Sequence, residues 1–172
     1  EQLFFNFGNP LAAKGYHQQG AADQMALLRF VPTVSFSAAT SPTGVAFSLA
    51  GPPAFWGHSQ GATHGSIAMP YDDWAGALLS GQGASLRDLL VSKHSPVDIA
   101  AVVPLVIGDP AGNGTLFGTH NHPVLSWMQT YFDGADPVAY GRLAVLEPPA
   151  GGSAHHLFQP FGTDDSYTPD WP

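Results

Sequence analysis

The pentapeptide Gly57-His58-Ser59-Gln60-Gly61 is the feature that most narrows what this chain can fold into. Its G-x-S-x-G pattern suits a serine on a sharp turn between a strand and a helix, with backbone angles that most residues avoid. Glycines on either side let neighbouring chain pass without a Cβ in the way. The setting agrees. An apolar run at 53–56 leads in, as a buried strand requires. Small residues follow at 60–69, closed by Pro70. Gly61 and Gly65 lie four apart, on one face of a helix, where they permit close packing of helix on sheet.

Around this turn, strand-like and helix-like runs alternate. Residues 3–7 read as a short strand stopped by Gly8-Asn9-Pro10, and residues 20–30 as a helix ended by Pro32. Residues 33–52 read as loop with one apolar run, Val45-Ala46-Phe47. Residues 75–79 form another apolar run, and 85–91 a short amphipathic helix with Ser85 as N-cap. Residues 97–107 are apolar and β-branched, interrupted by Pro104, and 108–114 are a turn-rich loop. Residues 123–133 read as a helix with Pro123 at its first position, and 154–161 as a final strand. The alternation predicts an α/β fold with a mostly parallel sheet and helices on both faces. With no internal repeat and no linker, residues 1–172 read as one domain portion.

Composition excludes several function classes. Five Lys+Arg stand against 13 Asp+Glu, so no basic patch exists to neutralise phosphates, and nucleic acid is not an expected partner. No stretch is long and apolar enough to span a membrane. There is no cysteine, which removes disulfides, thiolate metal sites and a cysteine nucleophile. The chain begins with Glu1 and shows no signal pattern. It reads as a mature chain or part of a longer one. Localisation is left open, with a secreted or cell-envelope destination among the options. Oligomeric state is not legible.

The turn carries a specific chemistry. A serine held there exposes its hydroxyl as a nucleophile, and the Gln60 N–H, at a helix N-terminus, points where an oxyanion would form. These residues also carry a resemblance. His58-Ser59-Gln60 with Trp56 before it resembles bacterial lipases and esterases of the α/β-hydrolase superfamily. The likeness extends to Leu79-Ser80-Gly81-Gln82-Gly83-Ala84 and to Gly162-Thr163-Asp164-Asp165-Ser166-Tyr167-Thr168-Pro169. The last stretch is similar to the G-x-x-D-x-x-x-P loop that carries that family's catalytic acid. The resemblance implies an α/β-hydrolase type of fold and hydrolysis of a small-molecule ester or lipid through an acyl-enzyme, with no cofactor. Residue by residue, it implies Ser59 as nucleophile and Asp165 as acid. Gln60 becomes the oxyanion donor, with Gly57, His58 and Gly61 completing the motif. Asp164 and Asp109 are the alternative acids.

The same resemblance implies a histidine after the acid. Seven residues follow Asp165 and none is histidine. The chain therefore reads as an incomplete version of that fold, short of its first strands and of the catalytic histidine. His120 and His122, in Gly118-Thr119-His120-Asn121-His122-Pro123, are the internal alternatives. On a strand, His120-x-His122 would also point two imidazoles to one side, as some zinc sites do, with Asp109 as a further ligand. No HExxH-like spacing accompanies them, and no metal is expected. Two rival functions stay open: a non-catalytic α/β domain that keeps the turn as structure, and a metal-dependent hydrolase built on His120 and His122. Trp56, Phe55, Trp127, Tyr131 and Phe132 read as core or half-buried. Residues 104–133, rich in Pro, Gly and aromatics, admit a second reading as a lid or cap over the site, with Trp127 open to either.

Overall fold

The computed structural model describes residues 9–108 and 121–168. It opens with helix α1, Pro10–Phe30. The Asn9 side chain accepts from the Ala12 N–H at 3.1 Å, and Pro10 takes a first-turn position where its missing N–H costs nothing. Asn9 and Pro10, read as part of a strand stop, are thus a helix start, and α1 extends well before residue 20; the strand read at 3–7 lies outside the described residues. Its buried stripe is Ala13, His17, Ala21 and Leu28, at the four- and seven-residue spacing of one helix face. Two glycines hid the first half of this helix from a propensity reading. One of them, Gly20, is demanded by packing: a Cβ there would lie 2.3 Å from the His64 ring.

Residues 33–52, expected to be loop, fold instead into a small hairpin. Strands β1 (Ser35–Phe36) and β2 (Phe47–Ser48) pair antiparallel, and the Phe36 and Phe47 rings stack at 4.8 Å.

The site-bearing sheet comprises β3 (Phe55–His58), β4 (Ala77–Ser80) and β5 (Leu157–Phe158), all parallel, in the order β3-β4-β5. Helix α2, Gln60–Ala68, makes the crossover from β3 to β4. The protein is therefore α/β. Strand alternation sorts the two faces. Phe55, Gly57, Ala77, Leu79 and Leu157 turn toward α2, where Leu79 and Met69 are buried with Ala62, Trp74, Leu28 and Ala144. The opposite face carries the register row Trp56, Leu78 and Phe158. Trp56 is 80% exposed and Phe158 66%. No described helix covers this row, so helices on both faces are not found among the described residues, and Trp56 is not core.

Between β4 and β5 the chain builds helices α3 (Leu86–Ser92), α4 (Ile99–Val106), α5 (Pro123–Phe132) and α6 (Gly141–Val145). Helix α4 arises from the apolar, β-branched run. Asp98 caps it by accepting from the Ala101 N–H, and Pro104 is tolerated inside it, buried. Ser85 does precede α3, but with φ 57 its hydroxyl turns to the Asp88 carboxylate rather than to a helix amide. Helix α5 starts at Pro123 as expected. Ile99, Val103 and Leu125 form a second core with Val91, Ile107, Val124 and Met128, separate from the sheet core. Within this helical layer Trp127 is exposed. Among the described residues no helix is long and apolar enough to cross a membrane.

Candidate active site

The Gly-His-Ser-Gln-Gly segment is a strand–turn–helix. Ser59 links β3 to α2 at φ 52, ψ −120, a conformation that costs a non-glycine residue about 1–3 kcal/mol, and it is exposed. Three bonds hold it. Its N–H donates to Ser80 O at 2.8 Å, and its carbonyl accepts from the Thr63 N–H at 3.1 Å and the Thr63 hydroxyl at 3.4 Å. Gly57 is a steric requirement of the turn: a Cβ there would lie 2.7 Å from Ala62 N and 2.8 Å from Ala62 Cα. Gly65 gives room to the Phe55 ring, 2.2 Å from its would-be Cβ. Gly61 differs from expectation, because nothing lies within 4 Å of the Cβ it lacks. Helix-on-sheet closeness is thus carried by Gly65 alone of that pair.

His58 is exposed on the uncovered face of the sheet, with Nδ1 3.2 Å from Ser80 Oγ. It is a hydrogen-bonding neighbour of β4.

The loop that carries Asp165 follows β5 and returns to the same, carboxyl end of the sheet. Gly81 N–H donates to Pro160 O at 3.2 Å, and Thr168 Oγ1 donates to Gly81 O at 3.4 Å. Ser59 and the loop thus both bond to the Ser80-Gly81 exit of β4. Asp165 accepts from Tyr167 N at 2.8 Å, Thr168 N at 3.1 Å and Thr168 Oγ1 at 2.9 Å. Burial opposes its ionisation, but the Thr168 and Tyr167 donors and the Lys93 charge outweigh it and hold the carboxyl below its ordinary value. Asp164, by contrast, is exposed at φ 61. Sequence reasoning missed Lys93. It is buried, donates from Nζ to Tyr167 O at 2.8 Å, and stands 5.0 Å over the Tyr167 ring. His94 and Ser95 also clamp the loop, both donating backbone N–H to Ser166 O.

Behind the turn, α1 meets α2 through an aromatic cluster. The Gln60 side chain donates from Nε2 to the Tyr16 hydroxyl. The Tyr16 ring stands edge-on to His64 at 5.4 Å, and His17 meets His64 at 5.5 Å. Burial, aided by His64 and opposed by Asp136, pushes the His17 imidazole down from 6.5 to about 4. Burial lowers His64 as well, against the pull of Asp23. A lone buried histidine in an apolar stripe gave no motif, and Tyr16 gave no signal at all.

The alternative residues separate from this cluster. His122 is not on a strand: it is the N-cap of α5, accepting from Val124 N–H through Nδ1 at 3.2 Å. His120 and Asp109 lie outside the described residues. Among the described residues no three His, Asp or Glu side chains gather in a metal-holding group. His155 is buried in the core with Nδ1 3.2 Å from Trp74 O. No family model, curated protein or solved structure matches the chain.

Proposed function

We propose that the chain is the nucleophile-and-acid part of a serine hydrolase of the α/β-hydrolase type, acting on carboxylic esters of small molecules or lipids. The observation that carries the reading is Ser59: exposed, at φ 52 and ψ −120, between a parallel strand and a helix. Left-handed backbone at a non-glycine residue is costly and persists where the surroundings enforce it, which is common at catalytic turns. In the reaction, the Ser59 hydroxyl attacks the ester carbonyl while a histidine takes its proton. The carbonyl π electrons move to oxygen, and the Gln60 N–H, the first of α2 and so without an intrahelical acceptor, bonds that oxyanion. Collapse expels the alcohol, protonated by the same histidine, and water then releases the acid. Asp165, charged and oriented by its three donors, would align the histidine. The cap reading of the segment 104–133 is supported at α5, where Val124, Leu125 and Met128 pack with Ile99 and Val103 in a core separate from that of the sheet.

Fluorophosphonate treatment tests this. The full-length protein acquires an adduct on Ser59 by mass spectrometry, and Ser59→Ala abolishes both the adduct and p-nitrophenyl ester hydrolysis. Hydrolysis that survives in Ser59→Ala refutes the reading. Loss on chelation with Ser59→Ala intact favours a metal-dependent hydrolase instead.

A further inference from the structure

The turn is fixed on one side by the sheet and on the other by a residue 44 positions earlier in the chain. The Ser59 N–H is pinned to β4 and its carbonyl to Thr63. That carbonyl belongs to the planar peptide that joins Ser59 to Gln60, so Thr63 holds one end of the peptide whose other end carries the Gln60 N–H. The Ser59 side chain makes no capping bond at this helix start. Packing at the next residue does not help either, because the space around Gly61 is open. The Gln60 end is held by its side chain, half-buried and bonded to the Tyr16 hydroxyl.

We infer that Tyr16 is a positioning residue, its hydroxyl holding the Gln60 side chain so that the Gln60 N–H stays aimed at the oxyanion. The inference rests on the reading of Ser59 as a nucleophile. Tyr16 is suited to the task because it is itself immobilised. Its ring lies edge-on to His64 of α2 and to its own neighbour His17, at 5.4 and 6.3 Å. One turn further along α1, Gly20 brings the helix directly onto the His64 ring. The hydroxyl is therefore carried by a helix already locked to α2, and a donor aimed in advance pays no reorganisation at the moment of reaction. A donor that meets charge in the transition state, and little in the bound substrate, affects the chemical step more than binding.

Tyr16→Phe in the full-length protein removes the hydroxyl and keeps the ring. Its kcat on a p-nitrophenyl ester and its rate of fluorophosphonate labelling at Ser59 fall about tenfold, less than the loss of a whole oxyanion donor. KM and the melting temperature stay at wild-type values. Gln60→Met breaks the same bond from the other side and gives a similar loss, and the double variant loses no more than either single. A wild-type kcat in Tyr16→Phe, or independent losses that multiply in the double variant, overturns the inference. Should Tyr16→Phe not fold, a wild-type kcat in Gln60→Met overturns it equally. Ser59→Ala separates the two levels. If it stays active, the hydrolase reading falls and takes this inference with it. If it is inactive while Tyr16→Phe matches wild type, the positioning role alone falls.

Discussion

Gly57 and Gly61 occupy equivalent places in the motif but bear different burdens. The Cβ of an alanine at 57 would press on backbone atoms of Ala62, which cannot yield without moving α2. Gly57→Ala should cost about 3 kcal/mol and suppress labelling at Ser59. At 61 the Cβ enters open space in the first turn of a helix, so Gly61→Ala should stabilise by about 0.5–1 kcal/mol through lower unfolded-state entropy. Urea unfolding of both variants checks the contrast, and equal destabilisation would refute it. The alanine at 61 should also leave the labelling rate unchanged.

The contact between α1 and α2 makes the stability of this pair of elements sensitive to acid. His17 titrates near 4 in the folded protein but at 6.5 when unfolded. Below 6.5 the unfolded chain therefore binds a proton that the folded one refuses, and stability falls as pH drops toward 4, by about 2–3 kcal/mol at most. His64 adds to the fall in the same direction. Asp136 faces His17 and Asp23 faces His64, and both favour the protonated imidazoles and so moderate the effect, while the Tyr16 ring packs edge-on against both imidazoles. Asp165 acts in a separate window. Its lowered carboxyl adds stability that is lost as pH falls below 3.8. Urea midpoints measured from pH 7 to pH 4 should decline in the wild type and decline less in His17→Leu. Identical slopes would remove His17 as the cause.

At the scale of the whole molecule, the sheet leaves a face and both outer edges without partners among the described residues. Trp56, Leu78 and Phe158 line up across β3, β4 and β5 on the uncovered side, and the outer edge of β3 pairs with no described strand. Unpaired edges and contiguous apolar rows favour association. Residues 1–172 by themselves should self-associate in sedimentation velocity at micromolar concentration, and Trp56→Ser with Phe158→Ser should reduce it. A monodisperse monomer of the unaltered chain would contradict this.

What the sequence by itself determined was local. The turn at Ser59, the helix start at Pro123 and the strand Ala77–Ser80, which overlaps the apolar run at 75–79, follow from glycine sterics, a fixed proline φ and an apolar run between breakers, all acting within a few residues. Tertiary structure decided what depends on distant partners. Propensity hid the first half of α1, where two glycines weaken it and one of them, Gly20, is required by packing on His64. A β-branched run became α4 because Asp98 caps it and its apolar face meets α5. His122 suited a zinc ligand by spacing, yet its Nδ1 serves a helix amide. The bonds of Lys93 to Tyr167 and of Gln60 to Tyr16 join segments more than 40 residues apart. No pattern within either segment encodes such a meeting, since it arises when helices and strands pack and the chain's own apolar faces choose their neighbours.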